Sequence, residues 1–283
     1  SGITTFGGAV NLPSSSATVI TAGKTGIGFT DANVKVGSGA ADALTTGGNN
    51  TAVGYDAMTN TTSGGSNTAV GKDALKTNTT GSSNAALGEN SLENNTTGSS
   101  NTGIGKDALR ANTTASDNTA VGHEALELNS TGASNTILGS GAGRSNTTAS
   151  NNTGVGYYAL RSNTTGTQNT AVGSFALDAN TTASYSTAVG YNALGANTTA
   201  DGNTAVGQGA LQYVTTGVSN AAIGREAGDT ITTGADNTYL GRHADASASN
   251  VSYESVVGSN VTGSGGNTTT LRNNVYNTAN SST

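Results

Sequence analysis

The sequence predicts an all-β fold, a parallel β-solenoid of 17-residue coils, and three observations lead to it. A glycine recurs every 17 residues without insertion, as at Gly54, Gly71, Gly88, Gly105 and Gly122. The composition is poor in large apolar residues, with 4% aromatics and 42 glycines, so each coil must gain stability from its neighbours. Net charge is only −6 and there is one proline, whereas disordered chains usually carry high charge or many prolines.

The repeat unit reads N-T-A-V-G-x-x-A-L-x-x-N-T-T-G/A-x-x, and its positions are numbered 1 to 17 from the first asparagine. Fourteen copies cover about 33–270. Position 4 is Val, Ile or Leu, as at Val70 and Val121, and position 9 is usually Leu, as at Leu75 and Leu126. Most charged residues fall at positions 6, 7, 10 and 11. The unit is too short for helix-pair repeats of about 33 residues or leucine-rich repeats of about 20 to 29.

Each part of the unit predicts one element of a coil. The N-T-A-V-G part predicts a short strand that ends at glycine, and the A-L part a second extended segment. N-T-T-G predicts the returning corner, because Asn and Gly tolerate left-handed backbone angles. Coils stacked about 4.8 Å apart would form a rod of roughly 65 Å. We expect ladders of Asn side chains, and stacked Val and Leu side chains filling a narrow core.

The two ends of the chain depart from the repeat. Residues 1–32 predict an N-terminal cap or a preceding fibre element, and 271–283 a C-terminal cap or linker, around a fourteen-coil solenoid over 33–270. Solenoids need altered terminal coils to shield their open edges. Within the repeat, Gly143 and Gly228 replace the leucine of position 9, which predicts a locally thinner rod or a bend.

No pattern of catalytic, metal-binding or cofactor-binding residues is found in the sequence. His123 and His243 fall on distant coils and cannot meet within one chain, and the unit lacks the regular Asp of calcium β-rolls. The recurring N-T-T triplets are interpreted as corner residues rather than glycosylation signals. Net charge gives no cationic footprint for nucleic acid, and no apolar run is long enough to span a membrane. We therefore expect a protein that is not an enzyme and has no cofactor.

The unit resembles the repeats of two kinds of fibrous protein. N-T-A-V-G-x-x-A-L resembles the repeats of YadA-like trimeric autotransporter heads, and the longer run through N-T-T-G is similar to tail and virion fibres of bacteriophages, cyanophages among them. The resemblance covers about 33–270 and implies a left-handed β-roll with three chains around one axis. No autotransporter membrane anchor is recognised, which favours the virion. A bacterial surface adhesin head stays the alternative.

The function implied is a rigid structural segment of an extracellular virion fibre, with a role in host attachment. Its partners would be other virion proteins and a glycan or protein receptor on the host surface. Exposed aromatics at positions 6 and 7 are candidate receptor contacts, although they could equally pack between subunits: Tyr55, Tyr157, Tyr158, Phe175 and Tyr191. Threonine ranks at positions 2, 13 and 14 suggest a further alternative, an ice-binding solenoid, although neighbouring charges would disturb a flat ice-binding plane.

The energetics of one coil predict an obligate homotrimer. A coil offers about two large apolar side chains, such as Val70 and Leu75, each worth about 1.5–3 kcal/mol when buried. Ordering each residue costs on the order of 1–2 kcal/mol, so a single slender rod has little margin. Small residues at positions 3 and 8, such as Ala69 and Ala74, suggest a face where another chain approaches. We therefore expect the alanine-lined face or the leucines to face the trimer axis.

Overall fold

A computed structural model of the chain describes residues 33–271, and over these residues the protein is all-β without helix. The predicted caps over 1–32 and 271–283 lie outside the described residues, apart from Leu271. Nearly every strand has three residues and occupies positions 2 to 4 of a coil. The strands are β1 Val34–Val36, β2 Thr51–Val53, β3 Thr68–Val70, β4 Ala85–Leu87, β5 Thr102–Ile104, β6 Thr119–Val121, β7 Thr136–Leu138, β8 Thr153–Val155, β9 Thr170–Val172, β10 Thr187–Val189, β11 Thr204–Val206, β12 Ala221–Ile223, β13 Thr238–Leu240, β14 Ala244–Asp245, β15 Ser255–Val257, β16 Val261–Thr262 and β17 Thr269–Leu271.

The strands stack in sequence order into one parallel sheet of fifteen strands, and β14 and β16 form a separate parallel pair. Each residue pairs with the residue 17 positions later, as Thr68 does with Ala85. This confirms the parallel β-solenoid of 17-residue coils. The last turn differs from the prediction, because Ser255 pairs with Thr269 at a spacing of 14 residues. The 17-residue period therefore ends before residue 270.

The core of each coil consists of positions 3, 8 and 9. Ala69, Ala74 and Leu75 are fully buried within their own chain, and Leu126 is buried in the same way. The prediction that leucine fills the core is thus confirmed, but the prediction that the alanines or the leucines face another chain is wrong. The prediction that valine fills the core is also wrong. Because side chains alternate across a strand, the inward position 3 forces positions 2 and 4 outward, and Val70 is only partly buried.

The turn after each strand depends on left-handed backbone conformations. Gly71 at position 5 has φ of 140°, and a Cβ there would lie 2.5 Å from the carbonyl oxygen of Gly88 in the next coil. Three further positions are left-handed although they are not glycine: Asp73, Leu75 and Ser83 have φ between 53° and 59°. The prediction of a second extended segment at the A-L part of the unit is therefore wrong, because this part is a turn. Such angles cost about 1–3 kcal/mol for a non-glycine residue, so the stacked coils must hold them in place.

Two ladders of buried asparagines join the coils. At position 1, the backbone N–H of Asn84 donates to Oδ1 of Asn67 in the preceding coil at 2.9 Å. At position 12, Nδ2 of Asn95 donates to Oδ1 of Asn78 at 2.9 Å. Both Asn84 and Asn95 also donate through Nδ2 to the carbonyl of Gly98, each at 2.9 Å. The carbonyl at position 15 thereby links the two ladders in coils that have asparagine at both position 1 and position 12.

The position 12 ladder explains the recurring N-T-T triplets. Asn78 and Asn112 are fully buried, so these side chains are structural, as the sequence interpretation held, and a glycan could not be attached to the folded coil. The ladder ends where Val214 follows Asn197 one coil later, and Oδ1 of Asn197 is then buried without a hydrogen-bond partner. Apolar residues therefore close the ladder at the cost of one unsatisfied acceptor.

Beside the two glycines at position 9, a larger residue stands at position 3. Ile137 lies in the same coil as Gly143, whereas Tyr239 comes from the coil after that of Gly228, where a Cβ would lie 2.6 Å from the tyrosine ring. Both larger side chains are buried, and the pairing of β7 with β8 continues in register. A small space remains in the core beside Gly143. A locally thinner rod or a bend at these coils stays a prediction.

Removing one rung of the asparagine ladder should destabilise the protein strongly. Nδ2 of Asn112 donates to Asn95 at 2.8 Å and to Ala115 at 3.0 Å, and its Oδ1 accepts from Asn129 at 3.1 Å. Asn112→Ala should lower the free energy of unfolding by about 2–4 kcal/mol, because buried polar partners are left unsatisfied. Denaturant titration followed by circular dichroism measures this. The exposed control Asn94→Ala should change it by less than about 0.5 kcal/mol, and equal losses would contradict the ladder.

Candidate functional site

The outer face of the fifteen-stranded sheet carries a continuous apolar column. Position 4 side chains point outward and are partly or largely exposed, with Leu87 at 49% and Ile223 at 51%. No strand of this sheet has a charged residue at position 2 or position 4. We name the position 4 column the apolar stripe: Val36, Val53, Val70, Leu87, Ile104, Val121, Leu138, Val155, Val172, Val189, Val206, Ile223, Leu240, Val257 and Leu271.

The apolar stripe is too long to be an ordinary feature of a free surface. All-parallel sheets normally have both faces covered, whereas here one face lies on the core and the other is bare. Fifteen rungs at about 4.8 Å give a stripe of roughly 65 Å, and a width of about 10 Å gives several hundred Å². Contiguous apolar patches of that size mark interaction surfaces, and a standard interface buries about 800 Å² on each partner. The stripe therefore has the dimensions of a binding face.

A threonine column runs beside the apolar stripe on the same face. Position 2 is threonine in most strands, and Thr68, Thr136 and Thr238 are exposed. The face thus presents a hydroxyl column and a methyl column at regular intervals. The structure places the charged repeat positions elsewhere, on the turn that follows the strand.

The charged side chains form ion pairs between successive turns. Glu127 accepts a hydrogen bond from Nε of Arg144 at 2.7 Å and also contacts Arg110. Nζ of Lys76 lies 2.9 Å from Asp73, and this pairing holds the pKa of the Lys76 ammonium above its usual value. Most of the cationic side chains remain solvent-exposed, as predicted, although the carboxylates of Glu127 and Asp73 are buried against the turns. The charge lies along the corners and leaves the sheet face neutral.

Four of the five candidate aromatic residues come together on one corner, in three successive coils. The rings of Tyr157 and Tyr158 stack at 4.0 Å, and Phe175 meets Tyr157 edge-on at 5.5 Å. Tyr191 continues the group, with its ring 5.9 Å from Phe175. We name these four residues the aromatic patch. Tyr55 has the same repeat position as Tyr157 but lies six coils away, outside the patch.

The histidines do not come together. His123 and His243 are seven coils apart, and His243 instead lies 2.8 Å from Glu226. Within 33–271, no group of three or more His, Cys, Asp or Glu residues is arranged to hold a metal ion. The same part of the chain contains no helix long and apolar enough to cross a membrane.

Two acidic side chains occupy core positions in the last coils, and the sequence reasoning missed both. Asp245 stands at position 9, where most coils have leucine, and its Oδ1 is buried without a partner. Burial, followed by a hydrogen bond with Asp229, raises the pKa of Asp245 to about 7. Glu254 replaces the position 1 asparagine, and its carboxylate accepts from the backbone N–H of Ser247 at 3.1 Å and of Gly265 at 2.7 Å. The sequence signal that could have identified both residues is an acidic residue at a repeat position that is usually Leu or Asn.

Comparison with protein-family models, with curated proteins and with solved structures found no match to this chain. The bacteriophage fibre and the autotransporter head therefore stay predictions from the repeat.

Asp245 should make stability depend on pH. Because the pKa of Asp245 is raised in the folded state, its carboxyl favours folding when neutral, and this contribution is lost as pH rises from about 4 through about 7. Asp245→Asn should therefore raise the melting temperature at about pH 8.5 and leave it nearly unchanged at about pH 4. Differential scanning calorimetry at both pH values checks this. The exposed control Asp236→Asn should show no such difference, and an equal response in both variants would refute the assignment to Asp245.

Proposed function

We propose that the chain is a rigid segment of a homotrimeric surface fibre of the kind carried by bacteriophage virions, without catalytic turnover. The observation that supports this most is the uncharged apolar stripe along the whole outer face of the sheet. The solenoid supplies a stiff rod, and the stripe supplies the surface through which rods join.

The partner that best fits the apolar stripe is another copy of the same chain. The stripe repeats once per coil, so it is matched along its full length by a surface with the same spacing between repeats. A parallel copy of the chain has that spacing. Closed cyclic symmetry would cover the stripe on every chain and leave none open for further growth. The number three and the left-handed winding are proposed from the resemblance to YadA-like heads and phage fibres. In such a trimer the stripes face the axis, instead of the alanine or leucine positions first expected.

The turns would then form the outside of the fibre, where charged side chains and the aromatic patch remain accessible. We place the fibre on an extracellular virion, joined at its ends to other virion proteins and contacting a glycan or protein on the host surface. A bacterial adhesin head would share the same assembly. The origin of the chain distinguishes the two possibilities. A virion fibre would be found among purified virion proteins, whereas an adhesin head would be encoded by a gene that also encodes a membrane anchor.

Ice binding is a second candidate because of one observation. The threonine column and the apolar stripe form a flat, uncharged array of hydroxyl and methyl groups, and the charges expected to disturb such an array lie on the turns instead. This function needs the face bare, whereas the trimer covers it. Thermal hysteresis of a monomeric chain at micromolar concentration would favour ice binding over the fibre.

Charges introduced into the apolar stripe should prevent assembly. The double variant Val155→Lys and Val172→Lys would place six ammonium groups at the axis of a trimer, where burial of unpaired charge is strongly unfavourable. Sedimentation equilibrium should give the wild type three times the chain mass of 27.5 kDa and the variant the mass of one chain. Circular dichroism shows whether the separated chains keep their β-structure.

The matched control is the double variant Ser140→Lys and Gln208→Lys, at the exposed repeat position 6 where Lys72 and Lys106 already stand. This variant adds the same charge outside the stripe and should remain trimeric. A wild type that is a heat-stable monomer at all concentrations would refute the proposal, as would a valine double variant that assembles normally.

A further inference from the structure

We propose that the aromatic patch binds a neutral glycan, through the exposed rings of Tyr157 and Tyr191. The inference rests on the proposed fibre function and names the ligand class of its attachment surface. Two observations carry it: the patch is not required by the fold, and the arginine that lies over one of its rings is already paired.

The repeat does not require aromatic residues at the positions of the patch. Position 6 holds Lys72, Glu89, Ser140 and Gln208 in other coils, and the same turn forms there. Tyr157 and its counterpart in the patch, at the same position, are 46% and 56% exposed, so they add little to the core. Exposed aromatics gathered in three successive coils are thus a local feature added to a turn that folds without them.

Position 7 has the same left-handed backbone in the patch as in the rest of the rod, with φ of 57° at Tyr158 and 59° at Phe175. Asp73, Glu124 and Glu226 adopt it at this position as well, with φ between 55° and 57°. The repeat therefore imposes this conformation whatever the side chain. The rings at position 7, like those at position 6, are additions to a turn that forms without them.

The shape and charge of the patch fit a sugar chain. Its rings span three coils, about 10 Å along the rod, and offer both flat faces and phenol hydroxyls. A pyranose has an apolar face of C–H groups that packs on such a ring and a rim of hydroxyls that can hydrogen-bond to the phenols. Arg161 lies 4.9 Å above the Tyr158 ring and 3.5 Å from Asp178, so its charge is already compensated. This favours a neutral glycan over an anionic one.

The area of the patch argues against a protein partner. Four rings that are only partly exposed offer a few hundred Å² at most, well below the roughly 800 Å² that each partner buries in a standard protein interface. A chain of two or three sugar units needs no larger surface.

The test uses the full trimeric chain and neutral oligosaccharides of glucose, galactose and N-acetylglucosamine, two to six units long, titrated by calorimetry. The double variant Tyr157→Ser and Tyr191→Gln introduces residues found at position 6 in Ser140 and Gln208, so it should fold normally. The wild type should bind at least one series saturably, and the double variant about tenfold more weakly or not at all. The control Tyr55→Ser removes an isolated tyrosine that is also 56% exposed, and it should bind like the wild type.

Several results would overturn the proposal. No saturable binding of any series by the wild type at millimolar concentration would do so, as would equal loss in Tyr55→Ser. A double variant that dissociates into single chains would assign the patch to a subunit contact instead. Failure of glycan binding with a normal trimer mass would leave the fibre function standing, because that function is tested separately by the mass.

Discussion

The rest of the structure depends on the registration of each coil with the next through hydrogen bonds between residues 17 positions apart. The two asparagine ladders and the sheet share this register, and the position 15 carbonyl couples them. An inserted residue would displace every ladder at once, which explains why the glycines recur at constant spacing until the last turn. Sequence variation is then tolerated mainly on the turns, where side chains do not form the ladders.

The period, the strand at positions 2 to 4, the parallel stacking and the asparagine ladders could be predicted from the sequence, because each follows from a strict repeat. The second extended segment expected at positions 8 and 9 is instead a turn, with Leu75 in a left-handed conformation. Hydrophobicity alone could not predict that Ala faces the core and Val faces outward, since Val is the more apolar of the two residues. The deciding signal was present within the chain: where Gly143 and Gly228 replace leucine, position 3 enlarges to Ile137 in the same coil and to Tyr239 in the next coil. Positions that change size together share a volume, and that volume is the core.

The candidate surfaces were predictable to different degrees. The aromatic residues could be chosen by repeat position, and a spacing of 17 between Tyr158 and Phe175 already implies contact on adjacent coils. The partly buried setting of Asp245 could not be foreseen, because it lies where the 17-residue period gives way to the shorter turn in which Ser255 pairs with Thr269. The core of the regular coils can be predicted from the repeat, whereas the departure from the repeat depends on residues that occur only once.

In the proposed fibre, folding and assembly are coupled by the narrowness of the coil. Its interior admits two alanines and one leucine, such as Ala69, Ala74 and Leu75, and the remaining large apolar side chain must stand outside. A buried Val or Leu side chain contributes about 1.5–3 kcal/mol, so half of the large apolar burial available to a coil lies on the outer face of the sheet. A thicker coil could bury both side chains within one chain. In this narrow coil, the contribution of the outer side chain would be gained only when the proposed partner covers the sheet, whereas the turns on the other sides are free to vary.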